Sequence, residues 1–423
     1  MSILLKNATY IDWKTLEFKT SHILVDEGLN GKIHFLDKID QEKGTEIIDC
    51  KGKYVTKSFA VGHHHAYSAL SRGMGAPKKN PENFYEVLKY IWWTLDKCLD
   101  SEMVEYSALV TAMACAKAGS TFVIDHHASP FAVKDSLDII AKAFEKVGIS
   151  HLLCYEISDR DGEEIAQQGL DLTKSYLKNH QGLIGLHASF TVGNETLKKA
   201  TDLMSQFNSG IHIHVAEDSF DQKQCIEKYK IRVVERLNEF GVLNSSKSIF
   251  VHCLHLNDNE RELIKNASCW VAQNTESNLN NNVGYFKSIG LGDRIMLGTD
   301  GMHSDMLQSA KSSFFVGQGF DKIDYPASYK RFRNANNYLA FNKFKGDGDN
   351  NLVILDYNTP TEINQSNFLG HFIFGINSNH ITDVISNGKL IVKNRQIQTV
   401  NEEEILVTSR KLANKLWKKM QNS

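Results

Sequence analysis

Three consecutive histidines stand at the end of a short, strongly apolar segment of the chain. This segment ends in the sequence GHHHAY, which contains His63, His64 and His65. Because side chains alternate along a strand, His63 and His65 point to one face and His64 points to the other. Two imidazoles with this spacing can share one metal ion, so the pair is a candidate metal-binding element.

Four further residues with the chemistry of metal ligands or proton carriers follow at the ends of later apolar segments. They are, in chain order, His214, Glu217, His252 and Asp300. Imidazoles and a carboxylate from separate strands form a site that suits Zn²⁺ or Fe²⁺ and leaves room for a water ligand. A cation there lowers the pKa of that water toward neutrality and so provides a nucleophile. Asp300 could accept the proton of the water, and Glu217 could donate one to the substrate atom that gains electrons.

The other histidines have simpler explanations. A single histidine at a strand end is more often a hydrogen-bonded polar residue than a ligand, and we interpret His151, His212 and His255 in this way. His126 and His127 end another apolar segment and serve either a structural or a pocket-lining role. A metal site that has lost its catalytic function is the alternative explanation for the whole ordered set.

Eight short apolar segments alternate with stretches of helical periodicity in the middle of the chain. They read SFAVG, TFVID, HLLCYEI, LIGLHAS, GIHIHVA, SIFVHC, CWVAQ and RIMLGTD. Strands that are apolar almost throughout and separated by helices are typical of a parallel sheet covered on its outer face. We therefore predict an α/β fold with a (β/α)₈ barrel over residues 58–345, with the reactive groups at the C-terminal ends of its strands. An open parallel sheet would show the same alternation.

The two ends of the chain have a different, strand-rich character. Residues 1–57 mix β-branched and aromatic residues with turn signals, and residues 346–423 contain NLVILDY, HFIFGI, HITDVISNGKLIVKN and RQIQTV. The Asn387-Gly388 pair predicts a hairpin turn. We predict that both segments together form a small β-sandwich domain beside the barrel.

Two helices are predicted with particular boundaries. The first spans residues 101–118, with Ser101 as its N-cap and Gly119 just after its C-terminal end. The second, over residues 402–420, carries apolar residues on one face and is expected to dock on the rest of the protein.

Composition limits the class of protein. The 423 residues carry a formal charge of −2 and are 42% hydrophobic, which indicates a folded chain without a global basic surface for nucleic acid or an anionic membrane. The start of the chain lacks the features of a signal peptide and no apolar run has the length of a membrane span, so the expected location is the cytoplasm. The seven cysteines show no C-x-x-C spacing and are predicted to be buried, reduced thiols.

The ordered motifs resemble the amidohydrolase superfamily, in the aminohydrolase and chlorohydrolase branch that holds cytosine deaminase-like enzymes, and are most similar to the SsnA-like aminohydrolases. The motifs are HHHAYSALSRGM, YIWWTLDKCL, VIDHHASP, CYEISDRDG, GLHASF, HIHVAED, VHCLHL, SNLNNNVG, GTDGMHSDM, LVILDY and GHFIFG. The resemblance implies a TIM-like barrel and a hydrolase that acts on carbon–nitrogen bonds other than peptide bonds. It also implies a small heterocyclic substrate and leaves a homo-oligomer open.

The same resemblance implies a role for each site residue. The metal ligands would be His63, His65, His214 and Asp300. Asp300 would also act as the base, Glu217 as the proton shuttle, and His252 as the residue that orients the water. Substrate contacts would come from His187, Tyr67 and, with a surface ion pair as the competing explanation, Arg160. A single divalent ion is favoured over two, because no lysine ends the fourth strand segment, where dinuclear relatives keep a carboxylated lysine that bridges two metals. Zn²⁺ is the expected ion, with Fe²⁺ as the alternative.

The sequence departs from the family pattern in two places. Lys57-Ser58 replace a Pro-Gly pair that is common before the histidine pair, and Gln273-Asn274-Thr275 replace a motif that usually reads HNP. We expect the first change to alter the start of the first strand and the second to affect substrate identity.

The implied activity is a deaminase that hydrolyses the exocyclic C–N bond of a purine-like or pyrimidine-like ring and releases ammonia. The same machinery could instead displace chloride or an alkylamine, or open a cyclic amide. A non-catalytic metal-binding or ligand-binding protein is a further alternative. The aromatic residues Tyr67, Phe84, Tyr85, Trp92 and Trp93, together with Arg72, could line the substrate pocket, although the two tryptophans are also explained as core residues.

Overall fold

The computed structural model describes residues 2–39 and 46–423 and shows two sheets. One sheet contains eight strands from the middle of the chain, and the other contains nine strands from its two ends. The predicted N-terminal segment 1–57 includes residues 1 and 40–45, which lie outside the described residues. The predicted fold class, a barrel with a second region of sheet made from both chain ends, is confirmed.

Strands of the described residues are numbered in chain order. They are β1 (Ile3–Ile11), β2 (Phe18–Val25), β3 (Ile33–Leu36), β4 (Glu46–Asp49), β5 (Tyr54–Lys57), β6 (Phe59–His64), β7 (Ser120–His127), β8 (Ser150–Ile157), β9 (Ile184–Ala188), β10 (Ile211–Val215), β11 (Ile249–His252), β12 (Trp270–Gln273), β13 (Ile295–Leu297), β14 (Leu352–Leu355), β15 (Ile381–Ser386), β16 (Lys389–Lys393) and β17 (Gln396–Ile397).

The α-helices are numbered in the same way. They are α1 (Phe84–Val87), α2 (Trp93–Cys98), α3 (Ser101–Lys117), α4 (Ser136–Val147), α5 (Glu163–Tyr176), α6 (Asn194–Gln206), α7 (Ser219–Tyr229), α8 (Val233–Glu239), α9 (Asp258–Asn266), α10 (Thr275–Asn280), α11 (Met306–Phe320), α12 (Tyr325–Phe341), α13 (Phe368–Phe374) and α14 (Glu402–Asn422). A π-helical turn, Leu88–Trp92, joins α1 to α2. Among the described helices, none is both long enough and apolar enough to cross a membrane.

The barrel strands β6 to β13 lie side by side in chain order, and all their pairings are parallel. Each of the eight predicted apolar segments forms one of these strands. All residues of β6 to β13 except Ser150 are buried, which explains why the sequence alternates so little between polar and apolar positions. Side chains such as Phe122, Ile124 and Leu152 fill the barrel interior together with Tyr338 and Leu339 of α12.

Closure of the barrel takes place beside the histidine pair. The backbone N–H groups of Thr299 and Asp300 donate hydrogen bonds of 3.0 and 3.2 Å to the carbonyl oxygen of His63. His64 and Asp300 form a parallel bridge between the first and last strands. The residues that are predicted to do chemistry are therefore also the residues at which the sheet closes.

The sheet from the chain ends runs in the order β17-β16-β15-β14-β5-β1-β2-β3, with β4 paired to β1. Its two parts join where β5 pairs with β14, antiparallel, with Thr56 opposite Val353. Asn387 and Gly388 have φ angles of 50° and 75° and form the predicted hairpin turn between β15 and β16.

Lys57, one of the two departures from the family pattern, connects this sheet to the barrel. Its side chain is buried, and Nζ forms a 3.0 Å ion pair with Asp347 and donates hydrogen bonds to the carbonyl oxygens of Asp347 and Gly348. A buried charge of this kind is tolerated because it is paired and hydrogen-bonded. The departure thus lies at the end of β5, directly before β6, and away from the histidine side chains.

Two local predictions are corrected by the structure. The segment HFIFGI, expected to be a strand, lies in helix α13, where Phe368 and Phe372, four residues apart, both pack on Tyr329 of α12. A short apolar run does not distinguish a strand from a buried helix. The N-cap of α3 is Asp100, whose side chain accepts a hydrogen bond from the N–H of Met103, and Ser101 is the first helical residue.

Two further predictions about helices fit the structure: the glycine that ends α3 and the docking of the C-terminal helix α14. Gly119 has a φ of 80° and directly follows the C-cap of α3, where a left-handed residue ends a helix most easily. Helix α14 buries Ile405, Leu412 and Leu416, and Nε1 of Trp417 donates a hydrogen bond to the carbonyl oxygen of Leu70. The terminal helix is therefore docked.

Gly62 gives a test of barrel closure. A Cβ atom at this position would lie 2.6 Å from the carbonyl oxygen of Leu297, on the strand that closes the barrel, whereas a Cβ at Gly75 would meet nothing within 4 Å. We expect Gly62→Ala to lower the free energy of unfolding by about 2 kcal/mol or more and Gly75→Ala to change it by about 0.5 kcal/mol or less. Urea unfolding of the two variants measures this difference, and equal midpoints would show that the strands do not approach so closely.

Candidate metal centre and active site

Four donor atoms converge at the C-terminal mouth of the barrel. Ligand nitrogens of His63, His65 and His214 lie within 4.8 Å of one another. Nε2 of His65 is 3.2 Å from Nε2 of His214 and 3.2 Å from Oδ1 of Asp300, and Nε2 of His63 is 3.7 Å from the same carboxylate oxygen. The structure thus brings together the four residues that the sequence predicts as metal ligands.

Hydrogen bonds at the far side of each ring determine which nitrogen carries the proton. Nδ1–H of His65 donates to the carbonyl oxygen of His126 at 2.6 Å, and Nδ1–H of His214 donates to the carbonyl oxygen of His187 at 2.9 Å. The lone pairs of both Nε2 atoms therefore face each other across 3.2 Å. Two lone pairs at this distance repel unless a proton or a cation lies between them.

The third histidine is held by a chain of donors. Sγ of Cys154 donates to the carbonyl oxygen of Asp125, so Nδ1–H of His212 donates to that sulfur and Nε2 of His212 accepts from Nδ1–H of His63 at 2.9 Å. Nε2 of His63 is fully buried and has no hydrogen-bond partner. Burial holds the pKa of His63 and of His214 well below the usual range, so both rings are neutral, as a metal ligand must be.

The spacing of the donors fits a tetrahedral ion. Bonds of about 2.0 to 2.1 Å to histidine nitrogen imply ligand–ligand separations of about 3.3 to 3.4 Å at the tetrahedral angle. The observed separations of 3.2, 3.2 and 3.7 Å bracket this value. Buried neutral nitrogens with inward lone pairs and one carboxylate are therefore suited to hold one divalent cation.

Several of the strand ends at the site have a left-handed backbone. Ala216, His252, Cys253 and Asp300 have φ angles of 47°, 70°, 55° and 52°. This conformation is unfavourable for residues with a Cβ atom, and strained backbone of this kind recurs at active sites. Here it turns the chain sharply after β10, β11 and β13, so that Glu217, His252 and Asp300 face the same space.

Glu217 and His252 lie on one side of the cluster. Oε2 of Glu217 is 3.4 Å from Nε2 of His252, which is 3.6 Å from Oδ2 of Asp300. Burial, with the nearby charge of Asp300, raises the pKa of Glu217 well above its usual range, so this carboxyl group can carry a proton at neutral pH. Nδ1–H of His252 donates to Oδ1 of Asn278 at 2.7 Å, which fixes the orientation of the imidazole ring.

A cavity opens above the donors, and the atom-free space within it, including its open mouth, is about 630 Å³. The residues that line it are His65, Tyr67, Ser68, Phe84, Leu88, Trp92, Trp93, Glu156, Arg160, His187, His214, Glu217, His252, Ser277, Asn280, Asn281, Asp300, Gly301 and Met302. All three residues predicted to contact substrate, His187, Tyr67 and Arg160, are among them. Two of the candidate aromatic-wall residues, Arg72 and Tyr85, are not.

Glu156 lies at the end of β8 on another side of the cavity. Its Oε2 is 3.2 Å from Nδ1 of His126, and its Oε1 is 3.8 Å from Nη1 of Arg160. The guanidinium of Arg160 is paired more closely with Asp96 and, at 3.0 Å, with Asp161. Although burial opposes ionisation, the interactions with His187, His126 and the guanidinium of Arg160 hold the pKa of Glu156 well below its usual range.

Two further groups of possible ligands in the described residues share nitrogens with the first. His65 also groups with His126 and Glu156, and His214 also groups with Glu156 and His187. Since the lone pairs of His65 and His214 face the first group, a second ion would compete for them. This arrangement favours one cation, as the sequence predicts.

Sequence reasoning missed Glu156 and Asn278 as site residues. Glu156 lies inside the quoted motif CYEISDRDG, but a single acid at a strand end has no spacing that marks it. Asn278 is 26 positions from its partner His252. Gln273, which replaces the usual histidine, lies outside the cavity lining, and its side chain bonds Thr275 and Arg331.

Comparison with known sequences agrees with this geometry. The sequence pattern of the Amidohydrolase family matches residues 59–391, which include all eight barrel strands and the four clustered donors. The chain therefore belongs to the amidohydrolase family, and the resemblance seen in the ordered motifs is confirmed.

Individual relatives extend the similarity over nearly the whole chain. A 5'-deoxyadenosine deaminase from Methanococcus vannielii is 27% identical over 411 residues, which cover 92% of this chain and 94% of the relative. A 5-methylthioadenosine/S-adenosylhomocysteine deaminase from Halothermothrix orenii is 25% identical and covers 96% of this chain and 97% of its own length. The crystal structure of an adenosine deaminase from Xanthomonas campestris with bound zinc has a TM-score of 0.83 at 17% identity and covers 98% of each chain, which shows a shared fold.

Adjacent histidines of β6 provide a matched test of the metal centre. His63 faces the donor cluster, whereas Nε2 of His64 bonds Oγ of Ser304 at 3.0 Å on the other face of the strand. We expect His63→Asn to reduce bound zinc to about a tenth of the wild-type content or less, because a tetrahedral set loses one ligand. His64→Asn should keep at least about four fifths of it, since it removes no ligand. Elemental analysis of the folded proteins measures both, and equal loss in the two variants would contradict the assignment.

Proposed function

We propose that this protein is a metal-dependent deaminase that replaces the exocyclic amino group of a purine-like or pyrimidine-like heterocycle with oxygen and releases ammonia. The observation that carries the proposal is the position of Glu217. A mostly buried carboxyl group, with 13% of its side chain exposed and a raised pKa, lies beside a cluster of metal-ligand type and lines the cavity above it. A purely structural metal site has no need for such a group.

The residues that would hold the cation are His63, His65, His214 and Asp300. Zinc is the proposed ion, because neutral imidazoles with one carboxylate in near-tetrahedral spacing match its preferences, and Fe²⁺ is the alternative. When bound, a divalent cation at this position acts as a Lewis acid and lowers the pKa of a coordinated water.

The side chains of the site divide the proton transfers between them. Oδ2 of Asp300 is not the oxygen nearest His65 and remains free to accept the proton of the attacking water. Nε2 of His252, 3.6 Å from Oδ2, orients that water. Glu217, protonated at rest, donates its proton to the ring nitrogen as the oxygen adds. The carboxylate then takes the proton of the added hydroxyl group and passes it to the departing amine, and the proton held by Asp300 restores the protonated Glu217.

The cavity walls position the ring of the substrate. Tyr67, Phe84 and Trp93 provide flat apolar surfaces that suit a planar heterocycle. His187, whose Nδ1 is bonded to Oγ1 of Thr191 at 2.7 Å, presents its other ring nitrogen toward the cavity. Arg160 stacks on Trp93 with its guanidinium carbon 5.0 Å from the ring centre and supports this wall from behind.

We also propose a cytoplasmic location. Support comes from the cysteines: all seven are buried and none is in a disulfide, as the sequence predicts, and this pattern is typical of a reducing compartment.

An ammonia-release assay over a panel of nucleobases and nucleosides tests the proposed function. The zinc-loaded protein is expected to release one ammonia per product molecule from at least one amino-substituted ring. Chloro-substituted and alkylamino-substituted rings in the same panel test the other leaving groups. Hydrolysis of those compounds without any ammonia release from amino compounds would contradict deamination.

Glu217→Gln tests the proton shuttle. We expect kcat to fall by about 10² to 10⁴ with zinc content unchanged, because the amide cannot exchange a proton. The exposed Glu239 of α8 offers the control Glu239→Gln, which should keep wild-type kcat. Wild-type turnover by Glu217→Gln would contradict the assigned role.

A further inference from the structure

Glu156 is a buried carboxylate that the proposed reaction leaves without a task. Only 3% of its side chain is exposed, and this carboxylate lines the cavity at the end of β8. Taking an ionised group out of water is costly unless hydrogen-bond donors surround it. The donors around Glu156 therefore indicate whether it is satisfied within the protein.

The protein provides few donors to this carboxylate. Nδ1 of His126 is 3.2 Å from Oε2 but makes no hydrogen bond, and Nε2–H of the same ring donates to the carbonyl oxygen of His212. Nη1 of Arg160 is 3.8 Å from Oε1, which is too far for a hydrogen bond. A carboxylate offers about four acceptor positions. Glu156 thus keeps acceptor capacity that faces the cavity.

Arg160 is not available as a partner for a substrate anion. Its guanidinium is paired with Asp96 and Asp161, and Asp161 also forms a 2.7 Å ion pair with Lys97. Around Glu156 the wall of the cavity therefore presents carboxylate oxygen and not free guanidinium. This chemistry selects a substrate with hydrogen-bond donors.

The location of Glu156 indicates which part of the substrate it faces. One of its oxygens lies within 4.8 Å of ligand nitrogens of His187 and His214, whereas Glu217 groups within the same distance with His252 and Asp300. The two acids thus lie on different sides of the donor cluster. A ring whose amino-bearing carbon lies at that cluster has two ring neighbours, one directed to Glu217 and the other to Glu156.

The two acids offer different roles to two ring nitrogens: Glu217 is the proton donor of the proposed reaction, and Glu156 has acceptor positions that no nearby protein donor fills. Glu217 donates a proton, so the neighbour on its side must be a nitrogen without hydrogen. Glu156 is an acceptor, so the neighbour on its side must be an N–H group. An amino-bearing carbon between an unprotonated nitrogen and an N–H is a cyclic guanidine.

We propose that Glu156 selects cyclic guanidine substrates, in which an N–H adjoins the amino-bearing carbon as in guanine and isocytosine, over rings such as adenine whose neighbour is not a donor. This inference rests on the proposed deaminase function. Hydrolysis of such a ring breaks the exocyclic C–N bond, forms a carbonyl at the same carbon and releases ammonia, with water as the only co-reactant.

A matched pair of compounds tests the role of the N–H. Guanine carries the N–H beside its amino-bearing carbon, and 2-aminopurine has the amino group at the same carbon but no such N–H. We expect the ratio of kcat/KM for guanine to that for 2-aminopurine to fall at least about tenfold in Glu156→Gln, since an amide accepts less well and can donate to the bare nitrogen. Isocytosine with 2-aminopyrimidine provides a second pair, and guanosine beside guanine shows whether a sugar is admitted.

Glu164→Gln is the control, because Glu164 is an exposed glutamate on α5. It should leave the ratio within about twofold of the wild type. A ratio in Glu156→Gln that also stays within twofold of the wild type would overturn the inference. The ratio compares two substrates on one protein preparation, so a partial loss of folded enzyme does not affect it.

Binding to the zinc-loaded wild-type protein tests the inference without any substitution. Calorimetry should show guanine binding at least about tenfold more tightly than 2-aminopurine, and equal affinity would overturn the inference. Tight guanine binding without ammonia release from any compound would contradict the proposed deaminase function alone. Ammonia release from adenine or 2-aminopurine with no preference for the N–H would contradict the Glu156 inference alone.

Discussion

Nε2 atoms of His65 and His214 lie 3.2 Å apart with their lone pairs directed at each other, and Oδ1 of Asp300 completes the group 3.2 Å from the first of them. Without a cation this arrangement of buried acceptors is repulsive, and with one it becomes a ligand set. The backbone carbonyls of His126 and His187 fix both rings in this orientation. Backbone hydrogen bonds in the barrel strands therefore determine which ring nitrogens of His65 and His214 are available to bind a metal ion.

The backbone around these ligand residues carries conformational strain. The carbonyl oxygen of His63 accepts the hydrogen bonds that close the barrel. His63, a predicted metal ligand, therefore also joins the two ends of the barrel sheet. Ala216, His252 and Asp300 adopt left-handed φ angles where the chain turns from strand into the site. Such strain persists only when the surrounding packing holds it in place, and here residues of the helices and of the terminal sheet share one apolar cluster with the barrel strands.

The fold was predictable from local spacing, and the ligand set was predictable from spacing together with the resemblance to the amidohydrolase superfamily. Strand alternation places His63 and His65 on one face, and eight apolar segments in order define the barrel. Interactions between distant segments were less accessible: no spacing links Asn278 to His252 or marks Glu156 as a cavity residue. Helix α13 shows a different limit, because the apolar run HFIFGI fits either a strand or a buried helix and only packing on α12 decides between them.

Anomalous diffraction at the zinc edge, from crystals of the zinc-loaded protein, tests the proposed metal site most directly. One strong peak is expected at about 2.0 to 2.2 Å from Nε2 of His63, His65 and His214 and from a carboxylate oxygen of Asp300. A peak elsewhere in the barrel, or two peaks bridged by Glu156, would contradict the proposed site.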